Sequence, residues 1–190
     1  MVLLGLFYVL LCYDGTNTGP LLKFNSRKGN GMKSCFFIGH REASEELFST
    51  LRQTVEKHIT EYGVTEFIVG WYGGFDRLAA SAVISLKQQY PQITLSLLLP
   101  YHPAERPTAI PPGFNNTYYP PGMENVPRRF AIIRANRYII DHTDYLIAYA
   151  WHPASNARNL VDYAQKREGK GLLTVTVLGR PDCKCPTEQQ

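Results

Sequence analysis

Two glycine-bearing stretches, Phe36-Phe37-Ile38-Gly39-His40-Arg41 and Phe67-Ile68-Val69-Gly70-Trp71-Tyr72-Gly73-Gly74-Phe75-Asp76, hold the residues best suited to ligand chemistry. Each is an apolar strand-forming run that stops at glycine and leads through a polar turn into a segment of helical periodicity, as at a phosphate-binding strand–helix junction. Gly73 and Gly74 lack Cβ, so a ligand can approach the main chain until the first amides of the following helix bind it. A phosphate or carboxylate suits such a place; the plain alternative is that these glycines only make tight turns. Asp76 begins the second helix, where a carboxylate either caps the helix, binds a ribose hydroxyl or supports a cleavage reaction.

Two further places carry polar groups at informative spacings. In the segment Pro127 to His142, Ile132, Ile133, Ile139 and Ile140 define an apolar helical face. Arg129 and Asn136, seven residues apart, fall in its middle. They either bond neighbouring loops or reach a bound anion or base, since polar groups in an apolar face need partners. Arg128, Arg134 and Arg137 project to the flank or outward. In Tyr149-Ala150-Trp151-His152-Pro153-Ala154-Ser155-Asn156-Ala157-Arg158-Asn159, a strand end again meets a helix start. Ser155 or Asn156 caps that helix, and Arg158 and Asn159 would add donors to a phosphate. His152 is an acid–base candidate with no carboxylate or nucleophile beside it in sequence.

The elements that must position these residues alternate. Strands are expected near Ser34–Gly39, Glu66–Gly70, Thr94–Pro100, Tyr145–Ala150 and Leu172–Leu178, with helices filling the gaps, which argues for an α/β parallel sheet covered on both faces. The first helix runs from about Ser44 to Tyr62, with Leu47, Leu51, Val55 and Ile59 as its apolar stripe. The second follows Gly74 and ends before Tyr90-Pro91, and its run Ala79-Ala80-Ser81-Ala82 permits close packing on the sheet. Between Pro100 and Pro127, six prolines and the aromatics Phe114, Tyr118 and Tyr119 mark a long loop, either a lid over the site or a structural flap.

Bulk properties set the limits. At 190 residues with 44% apolar and 19% charged residues, the chain suits one globular domain. A net charge of +4 falls short of the dense basic surface of a dedicated nucleic-acid binder. Cys12, Cys35, Cys183 and Cys185 are scattered, and Cys35 lies inside an expected strand, which argues for a reduced, cytoplasmic protein. Cys183-Lys184-Cys185 lacks a second ligand pair, so no metal site is expected. The apolar run Met1 to Cys12 is too short to span a bilayer and has neither the basic start nor the cleavage site of a signal peptide, so no membrane partner is expected. Residues 1–31 are read as an extension, or as an upstream stretch with translation beginning at Met32; residues 32–179 form the domain and 180–190 a tail.

In order and spacing, Phe37-Ile38-Gly39-His40-Arg41, Gly70-Trp71-Tyr72-Gly73-Gly74-Phe75-Asp76, Leu99-Pro100-Tyr101, Asn136-Arg137-Tyr138-Ile139-Ile140-Asp141 and Ser155-Asn156-Ala157-Arg158-Asn159-Leu160 resemble the SLOG superfamily. This Rossmann-like group includes the Smf/DprA proteins, the LOG phosphoribohydrolases and a small bacterial YpsA-like branch. The resemblance implies a three-layer Rossmann-like fold and a pocket at the strand C-terminal ends for a nucleotide or an ADP-ribose-like ligand, with no other cofactor. Its leading functional reading is nucleotide binding or sensing, with a homo-oligomer left open. One alternative is N-glycosidic cleavage of a nucleotide with Asp76 in support; another is single-stranded DNA binding as in the DprA relatives. LOG enzymes use a Pro-Gly-Gly-x-Gly-Thr-x-x-Glu motif, and the glutamate position here is Ala80.

Overall fold

The alternation of strand-forming and helix-periodic segments resolves into a single six-stranded, all-parallel sheet. The computed structural model describes residues 32–179. The expectations for residues 1–31 and 180–190, including those for Cys12, Cys183 and Cys185, lie outside the described residues. In chain order the elements are β1 (Lys33–Gly39), α1 (Leu47–Thr60), β2 (Val64–Val69), α2 (Gly74–Leu86), β3 (Thr94–Leu98), β4 (Asn116–Tyr118), α3 (Ala131–His142), β5 (Tyr145–Tyr149), α4 (Asn156–Glu168) and β6 (Thr174–Val177). Short 3-10 turns at Met123–Asn125 and Arg128–Phe130 precede α3.

The strands lie in the order β4-β3-β2-β1-β5-β6. Successive strands step one way from β1 and then the other, so the chain reverses direction across the sheet between β1 and β5. In an open parallel sheet that switch point leaves a crevice at the strand C-terminal ends, because the loops on either side lead to helices on opposite faces. Strand periodicity of two accounts for the layers. Phe37, Phe67, Leu95 and Ile147 face α1 and α2, whereas Phe36, Ile38, Ile68 and Leu146 face α3 and α4. Both sides of the central strands are therefore buried, which explains why these strands read as continuous apolar runs.

At three places the structure corrects a sequence expectation or decides between its alternatives. First, the proline-rich segment contains a strand: β4 pairs parallel with β3, Leu97 opposite Thr117. Its three residues are too few to show periodicity, and its flanking prolines are tolerated because β4 is an edge strand. Second, this segment is fastened to the sheet edge. Lys87 Nζ donates to Gly113 O and Asn115 Oδ1, and Leu95 N donates to Asn115 Oδ1 at 2.9 Å. Third, α3 buries Ala131, Ala135, Ile139 and Ile140, so its packed face is rotated from the one centred on Arg129 and Asn136. The small alanines let the helix sit close to the sheet, and Ile132 and Ile133 are left on the flank beside Arg129 and Asn136.

Candidate functional site

The two glycine turns meet, but their first task is to fasten to each other. Gly74 N donates to Arg41 O at 2.6 Å and Phe75 N to His40 O at 3.4 Å. A Cβ on Gly74 would come within 2.8 Å of Arg41 O, so only glycine allows this contact. A Cβ on Gly39 would lie 2.3 Å from the Phe75 ring, which is fully buried against Tyr149 with centroids 5.8 Å apart. The leading amides of α2 are thus spent on the neighbouring turn and do not face a ligand, contrary to the expectation for this junction.

Asp76 completes the arrangement. It lies in the first turn of α2 and its carboxylate reaches back, Oδ2 accepting from Tyr72 N at 2.8 Å with a further backbone bond from Gly73. The protein's own carboxylate thereby occupies the turn that sequence reasoning offered to an external anion. Burial pushes the Asp76 carboxyl above its ordinary range, against the opposing pull of the Tyr72 and Gly73 amides and of Arg77. Gly70 is tightly apposed, with Asp76 Oδ2 3.0 Å from where a Cβ would stand.

At the switch point lies a cavity of about 440 Å3, within the roughly 300–1,000 Å3 typical of small-ligand sites. Its wall takes Gly39, His40 and Arg41 from the β1 turn, Gly70, Tyr72, Gly73 and Asp76 from the β2 turn, and Ser155, Asn156 and Ala157 from the start of α4. The remaining side is a stripe of α3 and its leading turn: Arg129, Ile132, Ile133 and Asn136, at intervals that share one helix face. Arg129 is exposed and stacks over Phe130 at 4.7 Å, leaving its guanidinium at the rim. No residue between 100 and 127 lines this cavity, so the proline-rich segment is not its lid.

The start of α4 differs from that of α2. Ser155 is its N-cap, its Oγ accepting from Arg158 N at 3.1 Å and donating to His152 O at 2.9 Å. Asn159 N is satisfied by Ser155 O at 3.1 Å. The amides of Asn156 and Ala157 make no hydrogen bond to the described residues, and both residues line the cavity. The free amide donors and the positive end of the dipole thus meet the cavity at α4.

His40 sits beside them, 9% exposed, its Nε2 accepting from His152 N at 2.9 Å and its ring edge-on to Trp151 at 5.1 Å. An accepting Nε2 leaves the proton on Nδ1. Burial, and then His152, lower its pKa, so the ring is held neutral. Of the other sequence candidates, Trp71 packs edge-on against Phe114 at 5.6 Å, Phe75 is core, and Arg158 pairs with Asp162 at 2.8 Å; these three are not cavity walls. Gly74 borders a neighbouring cavity. Tyr72, Ile132, Ile133 and Ala157 line the site though sequence reasoning did not select them; for the two isoleucines, the i, i+3, i+4, i+7 spacing with Arg129 and Asn136 was the available signal. Ala80 lies on the buried face of α2, in the core and away from the cavity.

Among the described residues no helix is long and apolar enough to cross a membrane, and no group of three or more His, Cys, Asp or Glu side chains is placed to hold a metal ion. No curated protein matches the chain. In fold it is similar to DNA processing protein A (DprA) from Streptococcus pneumoniae, with a TM-score of 0.57 and 14% identity over 80% of this chain. It spans only 52% of that protein, about half its length. Residues 32–107 match the YpsA family model, described as the YspA SLOG family. That stretch takes in both glycine turns, so over the first half of the doubly wound sheet the chain is similar to the SLOG family.

Proposed function

We propose that the switch-point cavity binds a nucleotide or nucleotide-derived ligand through its phosphate at the start of α4. The observation that carries this reading is the pair of unbonded Asn156 and Ala157 amides opening into a cavity that also presents Arg41 and Arg129. Backbone donors with a helix dipole suit a phosphate, and two guanidinium groups add charge-assisted bonds. Asp76, the acidic residue lining the wall, is positioned to accept from ribose hydroxyls, while Ile132 and Ile133 offer an apolar surface to a base. Calorimetric titration with AMP tests this. Arg129→Ala should weaken AMP at least tenfold, about 1.4 kcal/mol, with an unchanged melting temperature because the side chain is exposed. Absence of AMP binding to wild type would remove the proposal.

The raised pKa of Asp76 favours a second reading, N-glycosidic cleavage, since perturbed carboxylates gather at catalytic sites. Against it, the position of the LOG glutamate is Ala80, buried in the core. Release of free base from AMP by wild type, abolished in Asp76→Asn, would establish an enzyme; the binding reading predicts intact nucleotide after prolonged incubation.

A further inference from the structure

The turn that leads to the Asn156 and Ala157 amides is fastened to the β1 turn by a histidine ring. Pro153 has no N–H to offer and favours an extended backbone at His152 before it. The His152 N–H is given to His40 Nε2, at 2.9 Å. Among the described residues, the other hydrogen bonds of His152 stay within its own turn. Ser155 N and Oγ both donate to its carbonyl, at 3.4 and 2.9 Å, and Ala154 N donates to its Nδ1 at 3.3 Å. Ser155 Oγ then caps α4 by accepting from Arg158 N at 3.1 Å. Asn156 and Ala157 lie between these last two residues, so a line of bonds runs from the His40 ring to the amides at the cavity wall. His40 is itself fixed. Its N–H bonds Tyr149 O at 3.0 Å, its carbonyl accepts from Phe75 N, and its ring packs edge-on against Tyr149 and Trp151.

We infer that His40 is the positioning residue of this anion site and works only as a neutral acceptor: a proton on Nε2 releases the His152 turn and with it the α4 donors. The inference rests on the nucleotide-binding reading and adds its regulation by acid. A protonated imidazole is a donor at both nitrogens, so Nε2–H would face the His152 N–H with no acceptor between them. Two effects of acid then oppose each other. The new positive charge would attract a phosphate, but Nε2 carries it towards His152, and Arg41 and Arg129 already supply positive charge to the cavity. The amides released are the groups in contact with the phosphate. Acid therefore weakens anion binding, the reverse of what an added cation alone would do. The other charged and titratable groups round the ring are Arg41 beside it, Tyr72 and Asp76 from the β2 turn, Arg129 before α3, and Tyr149 and His152 at the β5 end. Burial, and then His152, lower the His40 pKa, so the neutral form holds at pH 7 and the change falls below the ordinary 6.5.

A phosphate monoester itself titrates near about pH 6, so the probe is ADP-ribose, whose diphosphate is esterified at both ends and keeps its charge through this range. It is titrated calorimetrically across pH into wild type, His40→Gln, His40→Ala and His152→Ala, with melting curves at each pH to establish that the chain is folded. Wild-type affinity should fall as pH drops below 6.5, towards tenfold per pH unit, the slope of one excluded proton. His40→Gln brings an amide oxygen to the place of Nε2, an acceptor that does not titrate. It should bind within about threefold of wild type at neutral pH and lose most of the acid dependence. His152→Ala keeps the backbone N–H that makes the bond and should keep the acid dependence, whereas His40→Ala should bind at least tenfold more weakly than wild type at neutral pH. Wild-type affinity that is constant or rises in acid would overturn the inference while leaving the nucleotide site standing. So would a folded His40→Gln that keeps the wild-type slope or does not bind, a His152→Ala that loses the slope, or a His40→Ala of wild-type affinity. Absence of ADP-ribose binding to wild type at neutral pH would remove the nucleotide reading and this inference with it.

Discussion

Asp76 shows how one side chain combines architecture with chemistry. Its folded pKa lies above the ordinary 3.8, so the folded chain keeps the proton to higher pH than the unfolded chain does. Ionisation of Asp76 therefore subtracts stability as pH rises through this interval and favours the folded state least above it. Asp76→Asn removes that penalty while an amide oxygen can still accept from Tyr72. Denaturant titration should find the variant at least as stable as wild type at pH 7, with the difference shrinking towards pH 3.8, and AMP affinity reduced tenfold or more. A variant less stable at pH 7 would make Asp76 a turn fastener and no more. Gly39 makes the opposite case. Gly39→Ala drives a methyl into the buried Phe75 ring and should cost about 1–3 kcal/mol, with partial recovery on adding Phe75→Leu. The sequence marked both residues as special. It did not reveal that Gly39 serves packing, because the 2.3 Å approach to Phe75 depends on how two turns dock.

At the scale of elements, helix starts decide where an anion can go. Both α2 and α4 follow strand ends and look alike in sequence, and the glycine-rich one was the stronger candidate. Docking of the β2 turn onto the β1 turn consumes the amides of Gly74 and Phe75, whereas the Ser155 cap leaves those of Asn156 and Ala157 open. Hydrogen-bond partners between turns are non-local, so no spacing rule reports them. Ser155→Ala should lower stability by about 1 kcal/mol, the usual value of an N-cap, read by thermal denaturation. The α3 stripe was legible as a pattern. Its direction was not: Ala131 and Ala135 permit close contact with the sheet and take the buried face, turning Arg129 and Asn136 to the cavity. The strand β4 escaped notice because three residues among prolines carry no period.

For the whole molecule, the layered α/β architecture followed from alternating strand and helix signals, which are local, summed along the chain; the strand order, and with it the switch point, did not. What the sequence could not disclose is the coupling of the layers. His58, 1% exposed, joins α1 to the edge strand β6, with its Nδ1 bonded to Thr54 O at 2.7 Å and its Nε2 3.4 Å from Thr176 Oγ1. Burial lowers its pKa, as it does for His40, so the unfolded chain binds protons first on acidification. Stability should be full above pH 6.5 and fall below it, and His58→Asn, which keeps a donor for Thr54, should flatten that dependence. Single-stranded DNA should associate only weakly at physiological salt and release steeply as salt rises, because a net charge of +4 is modest for a nucleic-acid binder. Tight binding under those conditions would favour the nucleic-acid reading.

In the proposed binding mode a nucleotide phosphate seats on α4 and leaves the glycine turn at α2 closed. Backbone amide NMR of the 15N-labelled chain titrated with AMP addresses it directly. Large, saturable shifts are expected at Asn156 and Ala157, with Gly74 and Phe75 held in their bonds to Arg41 and His40 and nearly unmoved. Shifts centred on Gly74 and Phe75, with Asn156 and Ala157 silent, would contradict it.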